Sequence, residues 1–291
     1  MAKSEDVVGR VEASYPESRW YPEELPVSGA PDASPLEAGL KMVEDYTGLP
    51  RDEVRKRVKE IREKAWTVYR YPCIGRFRFL SLHLPEFPEY QNILGRLKSG
   101  EKLLDAGCCF GYVLRQVALN GVPAENLAGI DVHQEFVDLG YELFQDRDRF
   151  QARFVVGDVL NSSPSLKPLD GQFDIIHASS LLHLFGWDDQ VRLGTRLVRF
   201  FNPEAKAAMV VGRQVAVYEA PSLEAWRKQQ ATEHADGKRH NYHHDLKSWQ
   251  LLWDEIGDKT GTKWKTSGEL LSRMSDEIPT PIMRFTVKKV A

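Results

Sequence analysis

Three aspartates stand at the ends of three short apolar runs, where a parallel sheet offers side chains to a ligand. Asp105 opens an Asp-x-Gly-x-x-x-Gly turn, Asp131 closes the run 127–131, and Asp158 closes the run 154–158. The carboxyl ends of parallel strands meet at one edge of a sheet, so we expect the three carboxylates along one ligand rim. Asp105, placed before the first glycine, suits a cationic ligand better than a pyrophosphate. Asp131 could accept both hydroxyls of a ribose, and Asp158 could accept a hydrogen bond from an adenine amine.

The turn itself is the second part of the signal. Gly107 at a strand's carboxyl end lets a ligand approach the backbone closely, and the helix that opens at Gly111 offers unpaired N–H groups at its N-terminus. A dinucleotide site would instead show Gly-x-Gly-x-x-Gly, which this turn lacks. Each aspartate alone could equally be a helix N-cap or a turn residue. The ordered set of three is what indicates a site.

A framework of alternating elements must position these residues. From residue 100 onward, short apolar runs alternate with amphipathic stretches, which predicts an α/β fold with a doubly wound, mostly parallel sheet. The predicted strands are 102–105, 127–132, 154–157, 173–177 and 207–212, with later candidates at 263–265 and 283–290. The predicted helices in this region are 112–119, 134–144, 190–201 and 245–260.

The N-terminal third has a different pattern. A proline-rich arm, with Tyr15 and Trp20 among its aromatic residues, runs to about residue 35 and is followed by helical periodicity from residue 36 to Gly48 and again from residue 51. We therefore expect two regions: an arm and helical lid over residues 1–99, and a ligand-binding domain over residues 100–291.

Composition narrows the class of protein. With 291 residues, 42% hydrophobic and 28% charged, the chain is neither disordered nor a disulfide scaffold. A formal net charge of −3 without a block of like charges argues against nucleic acid as a partner. No apolar run reaches the roughly 20 residues of a membrane span, and residues 1–11 lack the apolar stretch of a secretory signal. We expect a cytoplasmic protein with free thiols and no membrane partner; a homodimer is left open.

The turn 105–111, with Asp131 and the pair Asp158 and Val159, resembles the motifs of class I S-adenosylmethionine-dependent methyltransferases. The resemblance implies a seven-stranded Rossmann-like sheet with a late reversed strand at 283–290. It also implies S-adenosylmethionine as the cofactor of the domain 100–291. Cys109 stands where the family often has glycine, which leaves the shape of the turn open. The cofactor-binding residues implied are Asp105, Gly107, Cys109, Phe110, Gly111, Asp131, Val132, Asp158, Val159 and His177, with Arg76 and Tyr71 at the amino-acid end.

A closer resemblance extends over nearly the whole chain. The segments 71–79, 107–111, 140–144 and 212–215 are similar to fungal methyltransferases of secondary metabolism. Those proteins include enzymes that methylate the carboxyl group of polyketide-derived aromatic acids in meroterpenoid pathways. The resemblance implies an O-methyltransferase that forms a carboxyl methyl ester on a small polyketide- or terpenoid-derived acid.

The methyl acceptor is expected beside residues that follow the fourth and fifth strands. A carboxylate, with a pKa near ~4, needs no base at neutral pH, whereas a phenol, with a pKa near ~10, would need one. His183 is the candidate acceptor contact or base, and Arg213, assisted by Gln214, could hold a carboxylate. His177 could instead be satisfied by backbone, and Arg213 could form a surface ion pair.

Other interpretations remain open at this point. A metal site in the segment 240–244 would need a second ligand pair that the sequence lacks, so a loop or helix entry with solvated histidines is predicted, with His240 able to face the substrate. The fold could also serve a cyclase or isomerase that binds the sulfonium without transferring methyl, a phenol O-methyltransferase with a histidine base, or a non-catalytic scaffold. A nicotinamide-dependent dehydrogenase is disfavoured by Asp105.

Overall fold

The computed structural model describes residues 21–22, 25, 33–233, 241–272 and 280–290. Within them, seven strands form one sheet in the order β3-β2-β1-β4-β5-β7-β6. The doubly wound α/β fold predicted from the alternating pattern is confirmed. The strands are β1 (Leu103–Ala106), β2 (Leu127–Asp131), β3 (Arg153–Val156), β4 (Ile175–His177), β5 (Met209–Val215), β6 (Lys263–Leu271) and β7 (Ile282–Val290).

The central strands are parallel and are buried on both faces, which is typical of strands joined by helical crossovers. Every residue of β1, β2 and β4 is buried, as in a sheet covered by helices on both sides. The pairs β2–β3, β1–β4 and β4–β5 are parallel. β7 runs antiparallel to β5 and to β6, which confirms the late reversed strand.

Two strands are longer than the sequence predicts. β6 continues to Leu271 instead of ending at residue 265, because each of its residues pairs with a residue of β7. β5 runs from Met209 to Val215 instead of 207–212, because β7 pairs with it through Val215. Arg213 and Gln214 therefore lie within a strand and do not follow it.

The helices are α1 (Ala33–Thr47), α2 (Arg51–Val68), α3 (Pro72–Gly75), α4 (Tyr90–Lys98), α5 (Tyr112–Leu119), α6 (Gln134–Phe144), α7 (Trp187–Phe200), α8 (Leu223–Glu233) and α9 (Leu246–Thr260). Both predicted N-terminal helices are confirmed as α1 and α2. α9 begins after Asp245, whose side chain accepts from the Ser248 N–H in a capping box. Within the described residues, none of the helices combines the length and hydropathy that a bilayer crossing requires.

The chain divides into two compact units. Unit 1 comprises Met1–Gly100 and Cys108–Val156, and unit 2 comprises Glu101–Gly107 and Gly157–Ala291. In unit 1, apolar residues of α1 and α2 pack in one cluster with Phe110, Phe136 and Phe144. In unit 2, Trp249 of α9 packs on Phe285 of β7, with ring centroids 4.7 Å apart. The division into a lid over 1–99 and a domain over 100–291 stays a prediction, and Tyr15 and Trp20 of the arm lie outside the described residues.

Candidate active site

Asp131 ends β2 in unit 1 and holds the turn that precedes α5. Its Oδ2 accepts from the Cys109 N–H at 2.8 Å, and its Oδ1 accepts from the His133 N–H at 3.0 Å. Burial raises the pKa of this carboxyl, while the N–H groups of His133 and Cys109 act in the opposite direction. Each oxygen has a further lone pair, so the carboxylate can accept two more hydrogen bonds.

An aromatic group borders Asp131 in the same unit. The rings of Tyr69 and Tyr71 lie 4.1 Å apart, and the His133 ring lies 5.3 Å from Tyr69 and 6.4 Å from Tyr71. Burial raises the pKa of the Tyr71 hydroxyl, and the charge of Asp131 adds to the effect. Tyr71 therefore lies near Asp131, as the cofactor prediction requires. Arg76 is half-buried at the C-cap of α3.

The turn after β1 uses left-handed backbone at three positions. Gly107, Cys109 and Gly111 have φ of +76°, +50° and +62°. Gly111 has no space for a side chain, because a Cβ there would lie 2.7 Å from Phe154 and 2.9 Å from Arg115. The nearest side chain to a Cβ at Gly107 would be Leu181, at 3.4 Å. Gly107 is therefore required by its backbone conformation, and not by a clash with the protein.

Phe110, predicted to contact the cofactor, needs a correction. Its ring is fully buried and makes edge contacts with Phe79 at 4.9 Å and Phe136 at 5.8 Å. A ring with no exposed surface cannot contact a ligand. Phe110 is a core residue, and only its backbone belongs to the turn.

In unit 2, Asp105 begins a chain of buried hydrogen bonds. Its Oδ1 lies 2.7 Å from His177 Nδ1, and His177 Nε2 lies 2.8 Å from Ser179 Oγ. Because a carboxylate can only accept, Nδ1 donates to Asp105. Ser179 Oγ in turn accepts from the Arg213 N–H at 3.1 Å. Both ring nitrogens of His177 have partners in the protein, so its ring orients Asp105 and the loop after β4.

The third aspartate, Asp158, closes a local turn. Its Oδ1 accepts from the N–H groups of Leu160 and Asn161 at 2.8 and 3.2 Å, and its Oδ2 accepts from the Asn161 side chain at 2.6 Å. Asp158 thus acts as a turn residue, which is one of the two roles that the sequence allowed. Three of the four carboxylate lone pairs are used in the turn, and one is left to accept a hydrogen bond from a ligand. Its neighbour Val159 is buried, whereas Val132 after Asp131 is 47% exposed.

The sequence predicts that Arg213 and Gln214 hold a carboxylate together, but their side chains lie on opposite faces of β5. In the sheet, Asp105 pairs with His177, and His177 pairs with Val211. The side chains of paired residues lie on the same face of a sheet, and side chains alternate between the two faces along a strand. Arg213, two residues after Val211, therefore lies on the same face as Asp105 and His177. Gln214 points to the opposite face with its partner Met283. One carboxylate therefore cannot be held by both side chains on one face. The Gln214 side chain is 1% exposed, and neither of its amide atoms has a partner.

His183 lies in the 3-10 turn Leu182–Leu184, with its ring 6.2 Å from that of His243. Its Nδ1 is buried without a hydrogen-bond partner. Burial, and to a lesser degree the neighbouring His243, lowers the pKa of His183 to about 3. The ring is therefore neutral at physiological pH and a weak base.

The segment after residue 240 leads into α9, as the helix-entry alternative predicts, but His244 is not solvated. His244 is fully buried; its ring nitrogens lie 3.2 Å from Ser248 Oγ and 3.1 Å from Gln190 Oε1. It also forms a parallel bridge with Ala216, which fixes the segment beside the end of β5. His240 lies outside the described residues.

The two low-pKa histidines predict an acid-sensitive fold. Burial lowers the pKa of both His183 and His244 to about 3, whereas an unfolded histidine titrates near ~6.5. Between these pH values the unfolded chain binds more protons than the folded chain. The contribution of the neutral histidines to the free energy of unfolding is therefore complete above about pH 6.5 and is lost as the pH falls towards 3. The free energy of unfolding, measured by denaturant titration from pH 7 to 4, should fall by up to about 1.4 kcal/mol per pH unit for each histidine.

Two glutamine variants provide the control for this pH dependence. His183→Gln and His244→Gln each remove one titrating group, so the slope of unfolding free energy against pH should be shallower in each. A slope equal to that of the unchanged chain in both variants would contradict the assignment.

The strand order and the acid-bearing turn define a class I methyltransferase. The sequence matches two family models: a meroterpenoid methyltransferase N-terminal domain over residues 20–80 and a methyltransferase domain over residues 103–204. Among solved structures, phosphoethanolamine N-methyltransferase 2 of Haemonchus contortus, in complex with S-adenosyl-L-methionine, aligns with a TM-score of 0.46 at 15% identity. The alignment covers 69% of this chain and 50% of that one.

Curated relatives are much more similar. O-methyltransferase phiE of Fungal sp. (strain ATCC 74256) is 40% identical over 250 residues, which are 85% of this chain and 78% of that protein. The Asnovolin E/Chermesin D methyltransferase nvfJ of Aspergillus novofumigatus is 35% identical over 242 residues, 81% of this chain and 84% of that protein. The chain belongs to this family of fungal methyltransferases. It is an S-adenosylmethionine-dependent methyltransferase of secondary metabolism.

Proposed function

We propose that the protein transfers the methyl group of S-adenosylmethionine to a carboxylate oxygen of a small polyketide- or terpenoid-derived acid. The observation that carries this proposal is that Nδ1 of the half-buried His183 is itself buried without a hydrogen-bond partner. A phenol, with a pKa near ~10, must lose its proton to become a good nucleophile. An imidazole whose pKa is lowered to about 3 is too weak a base to take that proton. An ionised carboxylate needs no base, which favours it as the acceptor.

The residues around the turn fit the cofactor. Asp131 retains lone pairs on both carboxylate oxygens beyond its hydrogen bonds to Cys109 and His133, which suits the two hydroxyls of a ribose. We propose that Gly107 and the half-buried Tyr71 also contact the cofactor, and that Val132 and Asp158 border its base. When bound, S-adenosylmethionine supplies an electrophilic methyl group on a positively charged sulfur.

On the acceptor side, the residues of unit 2 contribute hydrogen bonds and exclude water. The Gln214 amide is buried with both atoms unpartnered, and His183 Nδ1 is buried in the same state. Because an unpaired buried polar group costs about 1 to 3 kcal/mol, two such groups indicate a ligand that completes them. We propose that the Gln214 amide N–H and His183 contact the acceptor carboxylate and align its oxygen for an in-line transfer.

The pH profile of the reaction tests this proposal. The rate should stay nearly flat between about pH 6 and 9, because acceptor acids titrate near ~4. The protein would be incubated with labelled S-adenosylmethionine and a panel of aromatic acids, terpenoid acids and phenols, with products identified by mass spectrometry. A methyl ester is the expected product. A product of unchanged mass would favour the cyclase or isomerase alternative.

Variants separate the two acceptor chemistries. His183→Ala should lower the rate by misplacing the acceptor, without introducing a new pH dependence. Gln214→Ala should mainly raise the KM of the acceptor, and Arg213→Ala provides the comparison on the other face of β5. A methylated phenol whose formation rises through a pKa near ~7 and vanishes in His183→Ala would overturn the proposal and establish general-base catalysis.

A further inference from the structure

A fully buried ion pair lies directly beneath the turn in unit 1. Arg115 of α5 donates from Nε to Asp146 Oδ2 at 2.7 Å and from Nη2 to Asp146 Oδ1 at 2.9 Å. Both side chains have no exposed surface. This two-bond geometry uses the planar guanidinium in a way that a lysine ammonium cannot reproduce.

The remaining guanidinium nitrogen binds the backbone of the turn. Arg115 Nη1 donates to the carbonyl oxygens of Phe110 at 2.8 Å and of Gly111 at 3.3 Å. A Cβ at Gly111 would lie 2.9 Å from the same nitrogen, so the glycine and the arginine are matched to each other. Four aromatic rings surround the guanidinium carbon at 4.7 to 5.5 Å: Tyr141, Phe144, Phe150 and Phe154.

A third group connects this pair to the N-terminal helices. Tyr46 of α1 donates its hydroxyl to Asp146 Oδ2 at 2.7 Å, and burial and the carboxylate both raise the pKa of that hydroxyl. The three side chains Tyr46, Asp146 and Arg115 therefore form one connected path from α1 to the carbonyls of the turn.

We propose that Arg115 is a positioning residue for the cofactor turn and that Tyr46 and Asp146 hold it in place. By binding the Phe110 and Gly111 carbonyls, Arg115 fixes the two peptide groups that follow these residues, just beyond Cys109, whose N–H donates to Asp131. The inference rests on the proposed cofactor site, because it assigns Arg115 a role in setting the geometry of that site. It predicts that cofactor affinity depends on side chains that do not touch the cofactor.

The test compares Arg115→Lys and Tyr46→Phe in the full chain. Calorimetry should show S-adenosylhomocysteine binding weakened about tenfold or more by Arg115→Lys, the loss expected when a charge-assisted hydrogen bond is removed. Tyr46→Phe, which removes one hydrogen bond, should weaken it by a smaller factor of about three. The KM of the acceptor should change less than the affinity for the cofactor in both variants.

A matched control separates positioning from general destabilisation. Arg196 of α7 is also buried, pairs with Asp170 at 2.5 Å and donates to the Leu166 carbonyl at 3.3 Å. Arg196→Lys should lower the melting temperature and leave cofactor affinity unchanged. Should Arg115→Lys fail to fold, Tyr46→Phe decides the outcome.

Selective ¹⁵N labelling of cysteine gives a direct signal, because the chain has three cysteines. The amide resonances of Cys108 and Cys109 should shift in both variants, and by more than that of Cys73 in α3. Unchanged cysteine resonances and unchanged affinity in folded variants would overturn the inference. If Asp131→Ala leaves cofactor binding intact, the proposed site itself is wrong; if only Asp131→Ala weakens it, the role of Arg115 alone is wrong.

Discussion

Replacing Gly107 by valine should abolish binding of both S-adenosylmethionine and S-adenosylhomocysteine. At φ of +76° a β-branched residue is strained, and its side chain would enter the space next to the backbone where we propose that the cofactor lies. Apart from this backbone strain, the surrounding side chains leave room for a Cβ, since Leu181 at 3.4 Å is its nearest contact. Calorimetry with each ligand measures the loss.

Gly261 provides the matched control, because it has φ of +65° and nothing within 4 Å of an added Cβ. Gly261→Val should incur a similar backbone strain and lower the melting temperature, yet bind the cofactor normally. Normal binding by folded Gly107→Val would mean that the cofactor lies elsewhere.

Asp131→Ala should weaken cofactor binding while the fold persists. The variant removes the proposed acceptor of the ribose hydroxyls and also releases the Cys109 and His133 N–H groups. Loss of a charge-assisted hydrogen bond of this kind costs about 1 to 3 kcal/mol, or roughly 5- to 150-fold in affinity. Circular dichroism verifies that the variant is folded, and titration calorimetry then measures the dissociation constant of the cofactor.

Asp174 serves as the control for Asp131, because both are 9% exposed and each accepts a backbone N–H. Its Oδ2 accepts from the N–H of Lys102, the residue directly before β1, at 2.9 Å. Asp174→Ala should therefore reduce stability and leave cofactor affinity unaltered. Equal affinities for the two alanine variants would contradict the assignment of Asp131.

The sequence was sufficient for most of the framework because its signals are local. The apolar runs of β1 and β2 and the periodicity of α2, which buries Val54, Val58 and Ile61, follow from neighbouring residues alone. The acidic residue that closes β2 was also correctly placed at a strand end. What the acids bind remains a prediction, since side-chain roles depend on a ligand.

Features set by distant partners could not be predicted. The end of β5 depends on pairing with β7, about seventy residues further along the chain, and that pairing places Arg213 and Gln214 on opposite faces. The buried His244 ring has its partner 54 residues away in the sequence, where Gln190 Oε1 accepts its hydrogen bond. The role of Arg115 could not be predicted from the sequence, because arginine is rarely buried. Its partner Asp146 is also separated from it in the sequence by β2 and α6.

β6 is the last strand in the sheet order, and its exposed positions bear on how the protein behaves at high concentration. Lys263, Lys265 and Glu269 are all exposed along it. An edge strand with open N–H and C=O groups can recruit the same strand of a second molecule, and charged side chains oppose this association. Neutralising both lysines should therefore promote aggregation through β6, detectable by light scattering, at protein concentrations where the unchanged chain stays dispersed.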